Sequence, residues 1–156
     1  MRTLTRELRD ALTPLTALDV LRKGNERFVN NLKANRDLLQ QANLTRDGQW
    51  PFATILSCID SRTSAELIFD QGLGDLFVIR VAGNIAAPSQ VGSVEFAVEQ
   101  FQTKLVVVLG HSNCGAVRAT LTHLQAPGDT SPALRAIVDR IARGEHQHGR
   151  AALDAQ

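Results

Sequence analysis

The sequence predicts an α/β domain: a mainly parallel central sheet of about four strands, flanked by helices and preceded by an N-terminal helical arm. Three observations predict it. Short apolar runs alternate with helix-patterned segments, the order that builds a parallel sheet. Those runs are continuous rather than alternating in polarity, as in strands covered on both faces. The chain has 156 residues, 44% hydrophobic and 21% charged, enough for one domain with its own core. Residues 1–156 are therefore read as a single domain.

The elements follow in order. Leu15, Leu18, Val20, Leu21, Phe28 and Leu32 suggest an amphipathic helix, interrupted awkwardly by Gly24. Asn35 to Gly48 is polar and reads as a surface connection. FATILS, Phe52 to Ser57, is a strand after Trp50 and Pro51. Thr63-Ser64-Ala65-Glu66 has capping-box spacing and opens a short helix through Ile68 and Phe69, broken at Gly72 and Gly74. LFVIRV, Leu76 to Val81, is a second strand. Gly83 to Gln90 reads as a loop, followed by a helix with Val94, Ala97, Val98 and Phe101 at helical spacing. KLVVVL, Lys104 to Leu109, is the clearest strand. Gly115 to Leu124 reads as helix. Ser131-Pro132 opens another, with proline at its first position and Leu134, Ile137, Val138 and Ile141 on its apolar face.

Composition narrows the function classes. A formal net charge of +1 gives no general reason to expect nucleic acid or an anionic membrane as partner. No apolar run approaches the ~20 residues that span a bilayer. The opening MRTLTRELRD lacks the apolar stretch of a secretory signal, so a cytoplasmic address is the expectation. There are two cysteines, Cys58 and Cys114, and in such a setting a structural disulfide is not expected.

Ligands of parallel α/β sheets bind beyond the carboxyl ends of the strands. Two segments stand there. Cys58-Ile59-Asp60-Ser61-Arg62 follows the first strand, and Gly110-His111-Ser112-Asn113-Cys114-Gly115 follows the third. A His-x-x-Cys pair can place an imidazole nitrogen and a thiolate on one ion, and a cysteine from a neighbouring strand adds a third corner. Catalytic zinc takes such ligands and keeps one exchangeable position. The same spacing also admits two buried thiols and an unrelated loop histidine. Gly72-Leu73-Gly74-Asp75 is a turn, since nothing completes a nucleotide fingerprint.

CIDSR (58–62) together with GHSNCGAV (110–117) resembles the β-class carbonic anhydrases. AELIFDQGLGDLFVIRVAGN (65–84), GSVEFAV (92–98) and LRKGNERFV (21–29) are similar to the same family, so the likeness runs from about residue 15 to residue 143. The resemblance implies one zinc ion per chain, held by Cys58, His111 and Cys114. It also implies an Asp60–Arg62 dyad beside the metal, and reversible hydration of CO2 to bicarbonate and a proton by zinc-bound hydroxide. Two thiolates and a neutral imidazole leave zinc with no net charge, so ionising its water needs help. Asp60 can accept a hydrogen bond from that water, and Arg62, always charged, can hold Asp60 ionised. In some relatives the equivalent carboxylate becomes a fourth metal ligand in a closed state. Either a closed site or a pH-dependent switch is therefore expected here.

The resemblance further implies a homodimer or higher homo-oligomer, with no membrane insertion. Two alternatives stand beside the hydration reading: hydrolysis of carbonyl sulfide or carbon disulfide at the same site, and a catalytically weak zinc-binding interaction domain. Family members commonly have asparagine after the strand arginine, where this chain has Val81 after Arg80. Ala82-Gly83-Asn84 is expected to shape the rim of the site. Relatives usually continue past the point where this sequence stops, so the family's C-terminal helix and edge strand are expected to be missing. His146 and His148 read as solvated tail residues, with proton shuttling as the alternative. His123 reads as a surface or packing residue.

Overall fold

The structure is a computed structural model that describes residues 3–148, and the backbone alone for 145–148. The N-terminal arm consists of helices α1 (Arg6–Asp10), α2 (Pro14–Val29) and α3 (Leu38–Leu44). Strand β1 (Ala53–Ser57) leads through α4 (Ala65–Ile68) to β2 (Leu76–Arg80). A 3₁₀ turn (Ala82–Asn84) and α5 (Pro88–Phe101) lead to β3 (Leu105–Leu109), which is followed by α6 (Gly115–Gln125) and α7 (Pro132–His148).

The sheet has order β2-β1-β3 and is wholly parallel. Three strands form among the described residues, not the four or so expected. Only three runs in this stretch carry the continuous apolar character of a strand, and each became one. Central β1 is buried at every residue, as its unbroken apolar run requires. Parallel register sets Ile55 beside Val78 and Val107, and Leu56 beside Ile79 and Val108.

One face of the sheet, carrying Ala53 and Ile55 with Leu76, Val78, Leu105, Val107 and Leu109, packs on Ala17 and Leu21 of α2. Full burial of Leu21 and Ile55 stabilises the fold by about 1.5–3 kcal/mol each. The opposite face is covered by α5 over β2 and β1. There Phe77 meets Phe101 edge-on, with ring centroids 5.0 Å apart, and Thr54 bonds Thr103 in the core. The cover stops short of β3, where Val106 is 41% and Val108 65% exposed. The expectation of a sheet covered on both faces therefore fails at this strand: its apolar run is continuous, but α5 does not reach it.

The helical arm also departs from its apolar pattern. The buried stripe of α2 is Ala17, Leu21 and Gly24, while Leu15, Phe28 and Leu32 are exposed. Gly24 is no accident of sequence. A Cβ there would run into the backbone carbonyl of Phe69, so the missing side chain lets α2 lie directly against the end of α4. Asn25 Nδ2 donates to the Ile68 carbonyl across the same contact, at 3.1 Å.

Residues 35–48, expected to be a surface connection, contain α3 and two buried polar anchors. Arg36 pairs with Asp70, as does Arg27, and the Ala34 amide donates to the same carboxylate at 3.2 Å. Burial works to raise the Asp70 carboxyl, but the two guanidinium groups and that amide outweigh it and hold the pKa below its usual value. Gln41 accepts from the Leu73 amide at 3.2 Å. Hydrophobic periodicity cannot register a segment secured by ion pairs and amides.

Local cap chemistry behaves unevenly. The Leu134 amide donates to Ser131 Oγ at 3.3 Å, as the Ser-Pro helix start predicts. The capping box expected at 63–66 does not close: Ser64 caps α4 only by position, and the Thr63 hydroxyl donates instead to the Asp60 carbonyl at 2.9 Å. No helix among the described residues is long and apolar enough to cross a membrane.

Candidate metal centre

Because all three strands run parallel, their carboxyl ends share one rim. Cys58 follows β1, the 3₁₀ turn at 82–84 follows β2, and His111 follows β3. Cys114 occupies the N-cap position of α6. The structure thus brings Cys58, His111 and Cys114 into one cluster whose ligand atoms all lie within 4.8 Å of one another.

The donor set fits a zinc-sized ion. The two sulfurs are 3.9 Å apart, far longer than a disulfide bond. Two thiolates on one tetrahedral ion, each at about 2.3 Å from it, would stand about 3.8 Å apart. His111 Nδ1 lies 2.9 Å from the Ser112 carbonyl oxygen. A carbonyl only accepts, so Nδ1 carries the proton and Nε2 is the nitrogen left with a lone pair. That Nε2 is buried with no hydrogen-bond partner among the described residues. An orphaned acceptor beside two thiols is the arrangement a metal would complete.

The electrostatics favour the ligating form of Cys58. Burial raises the Cys58 thiol, but the adjacent His111 imidazole, the amides of Asp60 and Gly83 and the Cys114 sulfur outweigh it, bringing the pKa down from 9.0 to about 7. The Cys58 interaction in turn raises the His111 imidazole, against its desolvation.

Asp60 stands outside the three-residue cluster. Its Oδ1 accepts from Arg62 Nε at 2.9 Å and from the Arg62 amide at 3.0 Å, and its Oδ2 accepts from the guanidinium NH2 at 2.8 Å. Arg62 therefore holds the Asp60 carboxyl well below the usual carboxylate range. The same Oδ2 is 4.0 Å from His111 Nδ1, which places the dyad at the edge of the cluster. The carboxylate is turned to the arginine.

Arg80 was not assigned from sequence, and Gly83 was read there only as part of the rim. Arg80, at the end of β2, reaches the carbonyls of Cys58 and Asp60. The Gly83 amide faces the Cys58 thiol. Gly83 has φ of 67°, a conformation that favours glycine, and a Cβ there would also press on the Cδ1 end of Ile141 of α7 at 2.6 Å. Ala82-Gly83-Asn84 signalled a shaped rim, whereas nothing in the sequence pointed to an arginine bonding a neighbouring loop. His123 Nδ1 lies 3.4 Å from Thr130 Oγ1, a packing role consistent with expectation. The side chains of His146 and His148 lie outside the described residues.

Fold and site together define an α/β domain with a candidate metal centre on the carboxyl rim of its parallel sheet. The carbonic anhydrase family profile matches residues 53–156. The chain is 44% identical over 130 residues to a carbonic anhydrase of Mycolicibacterium smegmatis, covering 82% of this chain and 63% of that one. It is 43% identical over 131 residues to carbonic anhydrase 2 of Mycobacterium tuberculosis, covering 83% and 63%. Among solved structures, the β-carbonic anhydrase CcaA superposes with a TM-score of 0.58 at 31% identity, over 88% of this chain and 66% of that one. The chain belongs to the β-carbonic anhydrase family. It spans just under two thirds of the length of the curated relatives it matches.

Proposed function

We propose that this chain catalyses the reversible hydration of CO2 to bicarbonate and a proton, with one zinc ion held by Cys58, His111 and Cys114. The observation that carries the proposal is the cluster of two sulfurs and one orphaned imidazole nitrogen within 4.8 Å, with an arginine-held carboxylate beside it. Zinc bound there would supply the Lewis acidity that brings the ionisation of water close to neutral pH.

The remaining tasks fall to side chains of this chain. Cys58 and Cys114 bring negative charge to the site, and Cys58 does so near neutrality because its thiol is already lowered to about 7. His111 is fixed in one tautomer by the Ser112 carbonyl, so Nε2 needs no reorganisation to ligate. Asp60 accepts the hydrogen bond that orients the reacting water, and Arg62 keeps it ionised and turned away from the ion. Pairing through both carboxylate oxygens supports a fourth position open to water, with Asp60 as a ligand only in a closed state. The proton released by hydration passes to solvent at this exposed rim. The reading extends to an assembly of at least two identical chains, supported by the uncovered apolar side chains of β3.

A stopped-flow CO2 hydration assay, with zinc content measured on the same sample, tests the proposal. Zinc near one per chain with hydration, and loss of both in Cys58→Ser, is the expected result. Stoichiometric zinc without hydration from mildly acidic to alkaline pH would replace it with a non-catalytic metal-binding role.

A further inference from the structure

We infer that Arg80 is a positioning residue for this centre: from the end of β2 it clamps the backbone of the loop that carries both Cys58 and Asp60. The inference rests on the metal-site reading above, and deepens it. Arg80 Nε donates to the Cys58 carbonyl at 3.0 Å, and its NH2 donates to the Asp60 carbonyl at 2.7 Å. One planar guanidinium thus spans the two carbonyls on either side of Ile59, a geometry that a lysine ammonium cannot reproduce.

The loop needs such a clamp. The β1–β2 ladder ends at Ser57 and Arg80, closed by the Val81 amide donating to the Ser57 carbonyl at 3.0 Å. Beyond that bond the loop leaves the sheet, and its central side chain, Ile59, is 60% exposed. Apolar packing therefore does little to hold it. Hydrogen bonds take over: the Asp60 carbonyl accepts from Arg80, from the Thr63 amide at 3.0 Å and from the Thr63 hydroxyl at 2.9 Å. Charge-assisted bonds such as the two from Arg80 are stronger than neutral ones.

Residues 80–83 accordingly grip Cys58 at two points. Arg80 fixes its carbonyl and the Gly83 amide faces its sulfur. Cys58 and Asp60 are two residues apart, and the clamp sets the path of the peptide between them. It therefore sets how the thiolate and the water-orienting carboxylate stand relative to each other, which matters where tolerances are about 0.5 Å.

The test uses the full chain loaded with zinc or cobalt, as wild type, Arg80→Gln and Arg80→Lys. Far-UV circular dichroism and thermal unfolding report folding. Chelator-driven metal release and the visible absorption bands of the cobalt form report the site, and kcat and KM report turnover. Arg80→Gln is expected to fold and bind about one metal per chain, release it roughly 10–100-fold faster, shift the cobalt bands, and lower kcat with little change in KM. Arg80→Lys recovers part of each. Wild-type release rates and cobalt bands in Arg80→Gln overturn the inference. If Arg80→Gln does not fold, Arg80→Lys decides: intermediate values support the clamp and wild-type values refute it. Neither metal readout depends on turnover, so an inactive wild-type chain would sink the hydration reading without touching this result.

Discussion

Cys58 is the residue on which the chemistry of the site converges. Its thiol, brought to about 7 by His111 and by two backbone amides, would lose its proton to become a ligand of the proposed metal. Below that pH the proton competes with the metal, and His111, whose pKa is raised, must shed its own proton as well. Metal affinity is therefore expected to fall by up to about tenfold per pH unit for each competing proton as pH drops from about 7 to about 5. Chelator competition across that window measures it, and a flat profile would contradict the assigned donor set. Arg62 acts on the neighbouring group. Its removal in Arg62→Ala lets the Asp60 carboxyl rise toward its ordinary pKa and frees the side chain to turn onto the metal. Hydration should then drop about 10–100-fold, most at low pH, with altered absorption bands in the cobalt form. Lost activity with unchanged bands would count against that account.

At the scale of elements, the α2–α4 contact positions the N-terminal arm against the segment that follows the Cys58 loop. Gly24→Ala sets two effects against each other. In a free helix the change would stabilise by ~1 kcal/mol through propensity. Here the new methyl meets the Phe69 carbonyl, and that oxygen belongs to backbone rather than to a flexible side chain. Overpacking costs about 1–3 kcal/mol, so net destabilisation is expected. Denaturant titration should show a lower midpoint, and an unchanged or raised one would mean that α2 does not lie against α4. The rim depends on similar close packing, with Ile141 of α7 resting on Gly83, which in turn faces the Cys58 thiol.

At the scale of the molecule, coverage of the sheet is lopsided. The α2 face is closed across all three strands, whereas the α5 face leaves Val106 and Val108 open on a strand that is also the sheet edge. Exposed apolar side chains beside an unpaired edge favour association. Sedimentation velocity at micromolar concentration is expected to show a species of at least twice the chain mass. A monomer under those conditions would withdraw the oligomer proposal.

The sequence alone determined the α/β class and the positions of the strands that form, while overcounting the sheet at about four strands rather than three, and it named the candidate centre as Cys58, His111, Cys114, Asp60 and Arg62. These were legible because apolar runs and metal-type ligands are local signals: a strand announces itself in a few residues, and CIDSR and GHSNC each carry their chemistry within one loop. What only the tertiary structure decided is non-local. That Asp60 is bound to Arg62 rather than turned inward is a matter of side-chain rotamers, which residue spacing does not encode. The burial of Arg36 and Gln41, the need for glycine at position 24, the reach of Arg80 to the Cys58 loop and the bare face of β3 all depend on which segments meet in space. Polar anchors and close backbone contacts leave no periodicity in the chain, because each is set by a partner tens of residues away.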